Sequence, residues 1–345
     1  MKALLLSSYR NLELADLPAP SPAPDEVLIR VAACGICGSD VHGYDGSSGR
    51  RIPPIVMGHE AAGIIASIGN AVKNFVPGDR VTFDSTVYCG ECPNCRRGNV
   101  NLCDRRQVLG VSCGDYRRAG AFAEFVSVPA RILYRLPDSF PFAEAAMLEA
   151  VAVATHAVSL ANISPGCTAL VIGVGTIGVL AVQALRRAGC ARVLVADVDE
   201  QRLELAKQLG ATETILSDES LQSTILFRTN NQGADVTLEC VGRNETVASA
   251  IDATRKGGTV ILVGNITPNV NLPLQKVVSR QIRLQGSCAS SGEYSRAIEL
   301  LASGAIQVKP IITVIAPLDE GAAWFERLYK REPNLLKVVL TPGTP

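Results

Sequence analysis

Hydrophobic positions follow two different patterns along the chain. From Ala3 to about Ala150 they come in short runs, such as Glu26-Val27-Leu28-Ile29-Arg30-Val31 and Arg80-Val81-Thr82-Phe83, separated by turns rich in Gly, Pro and Cys. That pattern predicts a mostly β region. From about Thr168 to Gly286 strand-length apolar runs, expected at 169–172, 193–197, 214–216, 236–239, 259–263 and 282–285, alternate with helical stretches. Such alternation implies a parallel sheet covered on both faces. From Ser291 the pattern changes again, to a helix over 294–303 and strands at 311–315 and near 337–340. With no further α/β alternation, this tail is expected to rejoin the first region.

Two apolar segments need separate reading. The start, Met1-Lys2-Ala3-Leu4-Leu5-Leu6, is too short for the core of a signal peptide and reads as a first strand. Residues 157–185 carry no charge over 29 positions, long enough to cross a membrane. Pro165-Gly166 and the glycines at 173, 175 and 178 break the segment, so a buried strand, a tight turn and a buried helix are expected instead.

At 345 residues the chain exceeds what one core usually supports, and two domains are expected. Hydrophobic residues make up 47%, charged residues 19%, and the formal net charge is +0, which fits a globular protein and offers no basic excess for nucleic acid. Eleven cysteines without a secretory signal suggest a reducing compartment, the cytoplasm by default, where clustered cysteines bind metal more often than they pair.

Cys89, Cys92, Cys95 and Cys103 stand in one short stretch. Four thiolates close a tetrahedral shell around zinc and leave no position for substrate, so this site is expected to be structural. Arg96, Arg97, Arg105 and Arg106 make the lobe locally basic.

A second group of candidates has a different chemistry. Cys37-Gly38-Ser39-Asp40-Val41-His42 places a thiolate ligand just before a hydroxyl, a carboxylate and an imidazole, and Gly58-His59-Glu60 adds a further imidazole and carboxylate. A catalytic zinc needs about three protein ligands and an open position. Cys37 and His59, with Glu60 or a distant carboxylate, would supply them. Such a zinc would lower the pKa of a bound alcohol, Ser39 and His42 are spaced to relay the released proton, and Asp40 would orient His59 through its second ring nitrogen.

Gly173-Val174-Gly175-Thr176-Ile177-Gly178 lies between the strand at 169–172 and a helix expected over 179–188. The glycines and the helix N-terminus, with Thr176 and Ile177 between them, suit a dinucleotide pyrophosphate. The next strand ends at Asp197, 19 residues after Gly178, where a carboxylate binds the adenosine ribose. A 2′-phosphate would be repelled there, so NAD is expected over NADP. Arg202 would either stack on adenine or soften that choice.

Taken together, these residues, with Pro77-Gly78-Asp79-Arg80-Val81 and Gly120-Ala121-Phe122-Ala123-Glu124-Phe125, resemble the zinc-containing medium-chain dehydrogenase/reductase superfamily, in its polyol branch around sorbitol, threonine and galactitol-1-phosphate dehydrogenases. The likeness spans nearly the whole chain. It implies an α/β protein with a GroES-like β domain from both chain ends (1–151 and 291–345) and an inserted Rossmann domain (152–290) holding a parallel doubly wound sheet. It also implies about two Zn²⁺ ions per chain, NAD, a small-molecule alcohol as substrate, no nucleic-acid or membrane partner, and a homo-oligomer, dimer or tetramer. The reaction implied is hydride transfer from a secondary alcohol, on a polyol, sugar alcohol or its phosphate, to NAD. Threonine or short-diol oxidation is the neighbouring alternative. A zinc-free quinone reductase and a non-catalytic protein retaining the fold are the remaining ones.

Within that resemblance Glu149, in Met147-Leu148-Glu149-Ala150, stands where polyol-type enzymes carry a glutamate and classical alcohol dehydrogenases a cysteine ligand. Glu60 and Glu149 thus compete for zinc, one directly and the other through or in exchange with water. The sequence also departs from the branch. Gly43 stands where an aromatic residue follows the relay histidine, with Tyr44 one place later. Ala150 replaces a proline, and Gly286-Ser287-Cys288-Ala289-Ser290 replaces the segment that carries a polyol-holding arginine and tyrosine in mammalian sorbitol dehydrogenases.

Overall fold

A computed structural model describes residues 1–343, the side chain of Asp115 excepted. The chain divides into two compact units. The first comprises Met1–Glu149, Ser290–Ala302 and Val308–Pro345; the second comprises Ala150–Ala289 and Ser303–Gln307. The short return of Ser303–Gln307 to the second unit has a local cause. The Gln183 side chain donates to Gln307 O (3.0 Å) and accepts from Gln307 N–H (2.8 Å), which pairs the segment with the helix Thr176–Arg187. No periodicity records a contact made by one glutamine, and the expected boundaries at 151 and 291 pass over it.

The first unit is built on a seven-stranded, mainly antiparallel sheet. The strand Glu26–Gly35 lies near its middle, with Glu60–Ile68 on one side and the C-terminal strand Lys337–Thr341 on the other. The register pairs Gly35 with both Glu60 and Val339. Three distant stretches of sequence therefore converge on the end of one strand. Val27, Ile29, Val31, Val81, Phe83, Val128 and Val338 alternate inward and are fully or almost fully buried, as a half-solvated sheet requires. A hairpin of Lys2–Ser8 and Asn11–Asp16 pairs with Ile55–Val56 beside it.

The second unit carries six parallel strands in the spatial order Glu213–Leu216, Arg192–Asp197, Thr168–Ile172, Ala234–Glu239, Thr254–Leu262, Arg283–Gly286. This is the doubly wound order, whose switch point falls between the strands Thr168–Ile172 and Ala234–Glu239. Ala169 to Ile172 and Val193 to Ala196 are continuously buried, as strands covered on both faces must be. The strand expected at 259–263 begins earlier, at Thr254. A break in register after the Ala234–Thr254 pair takes up Gly257, whose φ of +71° suits glycine. The uncharged run 157–185 resolves into the end of the helix Leu148–Ser159, the strand Thr168–Ile172 and most of the helix Thr176–Arg187.

Candidate metal and cofactor sites

Strand Glu26–Gly35 delivers Cys37 to the N-cap of the short helix Gly38–Tyr44, and the Cys37 N–H donates to Asp40 Oδ2 at 3.4 Å. Gly58 precedes His59 with φ +96°, and Glu60 opens the next strand. Ligand atoms of Cys37, His59 and Glu60 lie within 4.8 Å of one another. His59 and Glu60 are almost fully buried and Cys37 is half-buried. A soft thiolate, an imidazole and a carboxylate at this separation fit three ligands of a zinc ion that keeps a position open. Gly35 makes the arrangement possible, since a Cβ there would stand 2.4 Å from Glu60 Oε2.

Two cations hold the group in place, and sequence reasoning named neither. Arg51, 2% exposed, donates from Nε (3.2 Å) and Nη2 (2.8 Å) to Asp40 Oδ1, and from Nη2 to Ser39 Oγ (3.2 Å). The same Asp40 oxygen stands 3.4 Å from His59 Nδ1, which places the carboxylate charge beside the imidazole although Nδ1 is buried without a hydrogen bond. Burial pushes the Asp40 pKa up, but the charges of His59 and Arg51 outweigh it and hold the carboxyl well below the usual range. Lys337, also 2% exposed, donates to Glu60 Oε2 (2.7 Å) and Ile36 O (3.0 Å). The only signal for it in the sequence is a lysine inside the apolar run Leu335-Leu336-Lys337-Val338-Val339-Leu340.

Glu149 stands outside the three-residue group. It begins the helix Leu148–Ser159 and accepts from Ser85 Oγ at 3.4 Å. Burial, opposed by the charge of His59 and reinforced by those of Glu60 and Asp84, raises its pKa to about 7. Ser39 and His42 both lie on the helix Gly38–Tyr44. Tyr44 turns into the core, against Phe325 and Tyr329, with its hydroxyl on Arg10 O (2.9 Å). It therefore does not replace the aromatic residue missing at Gly43. The vacated space holds Arg51: a Cβ on Gly43 would meet Arg51 Cγ at 2.1 Å.

The four cysteines of the lobe are free thiols within 4.8 Å of one another. The Cys89–Cys95 and Cys92–Cys103 sulfurs are 3.9 and 4.0 Å apart. A tetrahedron with Zn–S bonds of about 2.3 Å has edges of about 3.8 Å. Backbone N–H groups of Cys89, Cys92, Cys95, Asp104 and Arg105 point at the sulfurs from 3.3 to 3.5 Å, which stabilises thiolate charge. The donor set and spacing fit a closed structural zinc site.

In the second unit Gly173 to Gly178 follow the strand Thr168–Ile172 at its carboxyl end and open the helix Thr176–Arg187, at the sheet's switch point. Gly178 packs on the turn itself, with no room for a Cβ, which would be 1.9 Å from Gly173 O. Asp197 Oδ2 accepts from Val174 N–H (2.7 Å) and Oδ1 from Asp199 N–H (3.1 Å), which ties the carboxylate to the glycine loop. Arg202 lies 3.4 Å from Asp199 Oδ2, and Asp199 caps the helix that carries it.

Residues 23–138 match the alcohol dehydrogenase GroES-like domain and residues 176–303 the zinc-binding dehydrogenase family. The chain is 35% identical to the sorbitol dehydrogenase of Bacillus subtilis over 99% of this chain and 98% of that protein. Among solved structures, galactitol-1-phosphate dehydrogenase from Escherichia coli matches with a TM-score of 0.89 and 28% identity, covering 99% of this chain and 100% of that one. A protein of Sinorhizobium meliloti 1021 described as a zinc-binding dehydrogenase, and bound to NADP, matches with a TM-score of 0.88 and 33% identity over 99% of both chains.

Proposed function

Because the chain belongs to the zinc-dependent medium-chain dehydrogenase/reductase superfamily, in its polyol branch, we propose that it oxidises a secondary alcohol of a polyol, a sugar alcohol or a sugar-alcohol phosphate with NAD as hydride acceptor. The observation that carries this reading is the Cys37–His59–Glu60 group, with Asp40 beside the imidazole. Zinc held there supplies Lewis acidity, which makes the alcohol acidic enough to lose its proton near neutral pH. Cys37, His59 and Glu60 would hold the ion directly, and Glu149, outside that group, would be left to bind water beside it.

The chain's own side chains do the remaining work. Asp40, fixed by two donors from Arg51, sets its negative charge beside the His59 imidazole. Lys337 neutralises part of the Glu60 charge and fixes one of its oxygens. Ser39 Oγ accepts from Arg51, which leaves the hydroxyl hydrogen free to donate, and the alcohol's proton passes through Ser39 and His42 towards solvent. NAD is favoured over NADP because the carboxylates of Asp197 and Asp199 stand together at the end of the strand Arg192–Asp197 and Arg202, the nearby cation, is committed to Asp199. The named activities of sorbitol, L-idonate 5- and galactitol-1-phosphate dehydrogenases support a polyhydroxylated substrate. A homo-oligomer is supported by the edge strand Arg283–Gly286 and by the exposed Leu272, Leu274 and Val278 that precede it.

The test is a panel of sugar alcohols, their phosphates, threonine and short diols, assayed with NAD and with NADP before and after chelation. NADH formation on a polyol, abolished by the chelator, is the expected result. A higher kcat/KM with NADP overturns the cofactor assignment, and turnover confined to threonine or a diol overturns the substrate class.

A further inference from the structure

Cys167 and Cys190 take no part in the chemistry above. Cys167 immediately precedes the strand Thr168–Ile172 and Cys190 lies two residues before its neighbour Arg192–Asp197. The backbone locks the two approaches together: Gly166 N–H donates to Gly189 O (3.1 Å) and Ala191 N–H to Cys167 O (3.0 Å). The two sulfurs are thereby held 3.1 Å apart, about 1 Å beyond a covalent S–S bond. Cys190 is 2% exposed, whereas Cys167, 9% exposed, lines a cleft of about 440 Å³ that also presents Asp235, Arg255 and Arg283. Asp235 engages Arg255 at 2.6 Å, so the cleft keeps a net positive charge through Arg283. It opens at the amino ends of the strands, the end of the sheet opposite the glycine loop.

We infer that Cys167 and Cys190 are a disulfide-forming pair, oxidised through the cleft by a small disulfide that carries carboxylates. Cys167, as thiolate, attacks one sulfur of the reagent and releases the first small thiolate. Cys190 then attacks the Cys167 sulfur of the mixed disulfide, its proton passing to the second small thiolate as that leaves. The pair loses two electrons and two protons, and the reagent becomes two thiols. Burial and the adjacent Cys167 sulfur hold the Cys190 thiol well above its ordinary pKa, so the exchange is slow, on the minutes-to-hours scale of uncatalysed reactions. The bond closes a loop containing the strand Thr168–Ile172, the glycine loop and the helix Thr176–Arg187, so it restrains the unfolded chain while leaving the cofactor end of the sheet untouched.

The experiment treats zinc-loaded protein with millimolar oxidised glutathione, blocks remaining thiols under denaturing conditions, and maps the tryptic peptides by mass. Cys167 is the one cysteine in the peptide 136–186 and Cys190 the one in 188–192. The expected result is these two peptides joined, a melting temperature raised by several degrees, reversal by dithiothreitol, and unchanged NADH affinity and zinc content. C167S and C190S should each lose the temperature shift. Full alkylation of both cysteines after treatment, a persistent glutathione adduct on Cys167 with Cys190 still free, or the same temperature shift in C167S overturns the inference. The peptide map reads wild-type protein, so it decides the matter even if a variant fails to fold.

Discussion

At the scale of single residues, Gly43 and Arg51 form a matched pair. The guanidinium reaches Asp40 and Ser39 only because position 43 has no side chain, and Asp40 in turn backs His59. Gly43→Ala should therefore cost about 1–3 kcal/mol of stability, the usual range for overfilling a packed site. In an Arg51→Ala background the same change should cost less, with a coupling of at least about 0.5 kcal/mol in a double-mutant cycle by denaturant unfolding. Arg51→Met should cost about 3–5 kcal/mol, because it leaves Asp40 buried with half its pairing. Asp84 offers a pH test. It is 2% exposed, and burial lifts its pKa from 3.8 to about 6. A raised carboxyl pKa favours the fold fully below the unfolded value and loses that contribution as pH rises through the folded one. Wild-type stability relative to Asp84→Asn, which can still accept from Thr86 N–H, should thus fall by up to about 3 kcal/mol between pH 4 and 7 and stay level above. Denaturant curves across that range check it; a difference independent of pH contradicts it.

Residue-scale chemistry was legible in the sequence wherever it was local. Cys37, Ser39, Asp40 and His42 share one turn of chain, and His59 with Glu60 share another. Arg51 and Lys337 were not legible, because their partners are set by fold: Lys337 reaches Glu60 only because the C-terminal strand pairs beside Gly35. The competition between Glu60 and Glu149, open in the sequence, acquires a geometry here, with Glu60 inside the ligand group and Glu149 held apart on Ser85.

At the scale of elements, the four-cysteine lobe and the glycine turn make separable predictions. The lobe has few buried apolar side chains of its own, and its sulfurs are gathered by backbone N–H groups. Cys92→Ser should remove one zinc per chain by atomic absorption and lower the melting temperature by several degrees, because structural zinc contributes directly to folding. In the other unit, Gly178→Ala would drive a methyl into Gly173 O. It should weaken NADH binding at least about tenfold, equivalent to 1.4 kcal/mol, while both zinc ions stay bound. Element boundaries were harder to foresee than element types. The strand starting at Thr254 takes up Gly257 and Gly258 ahead of the start expected at 259, and the bulge that accommodates them is a property of the pairing with Ala234–Glu239.

At the scale of the whole molecule, the division into a β unit built from both chain ends and an inserted parallel-sheet unit follows from the change in hydrophobic period near Thr168 and its reversal after Ser291. What escaped that reading is the return of Ser303–Gln307 to the inserted unit, which rests on two hydrogen bonds between Gln183 and Gln307, one in each direction. In the proposed function, zinc held by Cys37, His59 and Glu60 would drive NAD-linked alcohol oxidation. The most direct measurement removes zinc stepwise with a chelator, counting zinc per chain and assaying the best alcohol of the panel at each step. Activity should vanish with the loss of one zinc ion, NADH binding should persist, and added zinc should restore turnover. Full turnover in protein that has lost this zinc, or in a Cys37→Ser variant holding only the lobe's ion, would contradict that role.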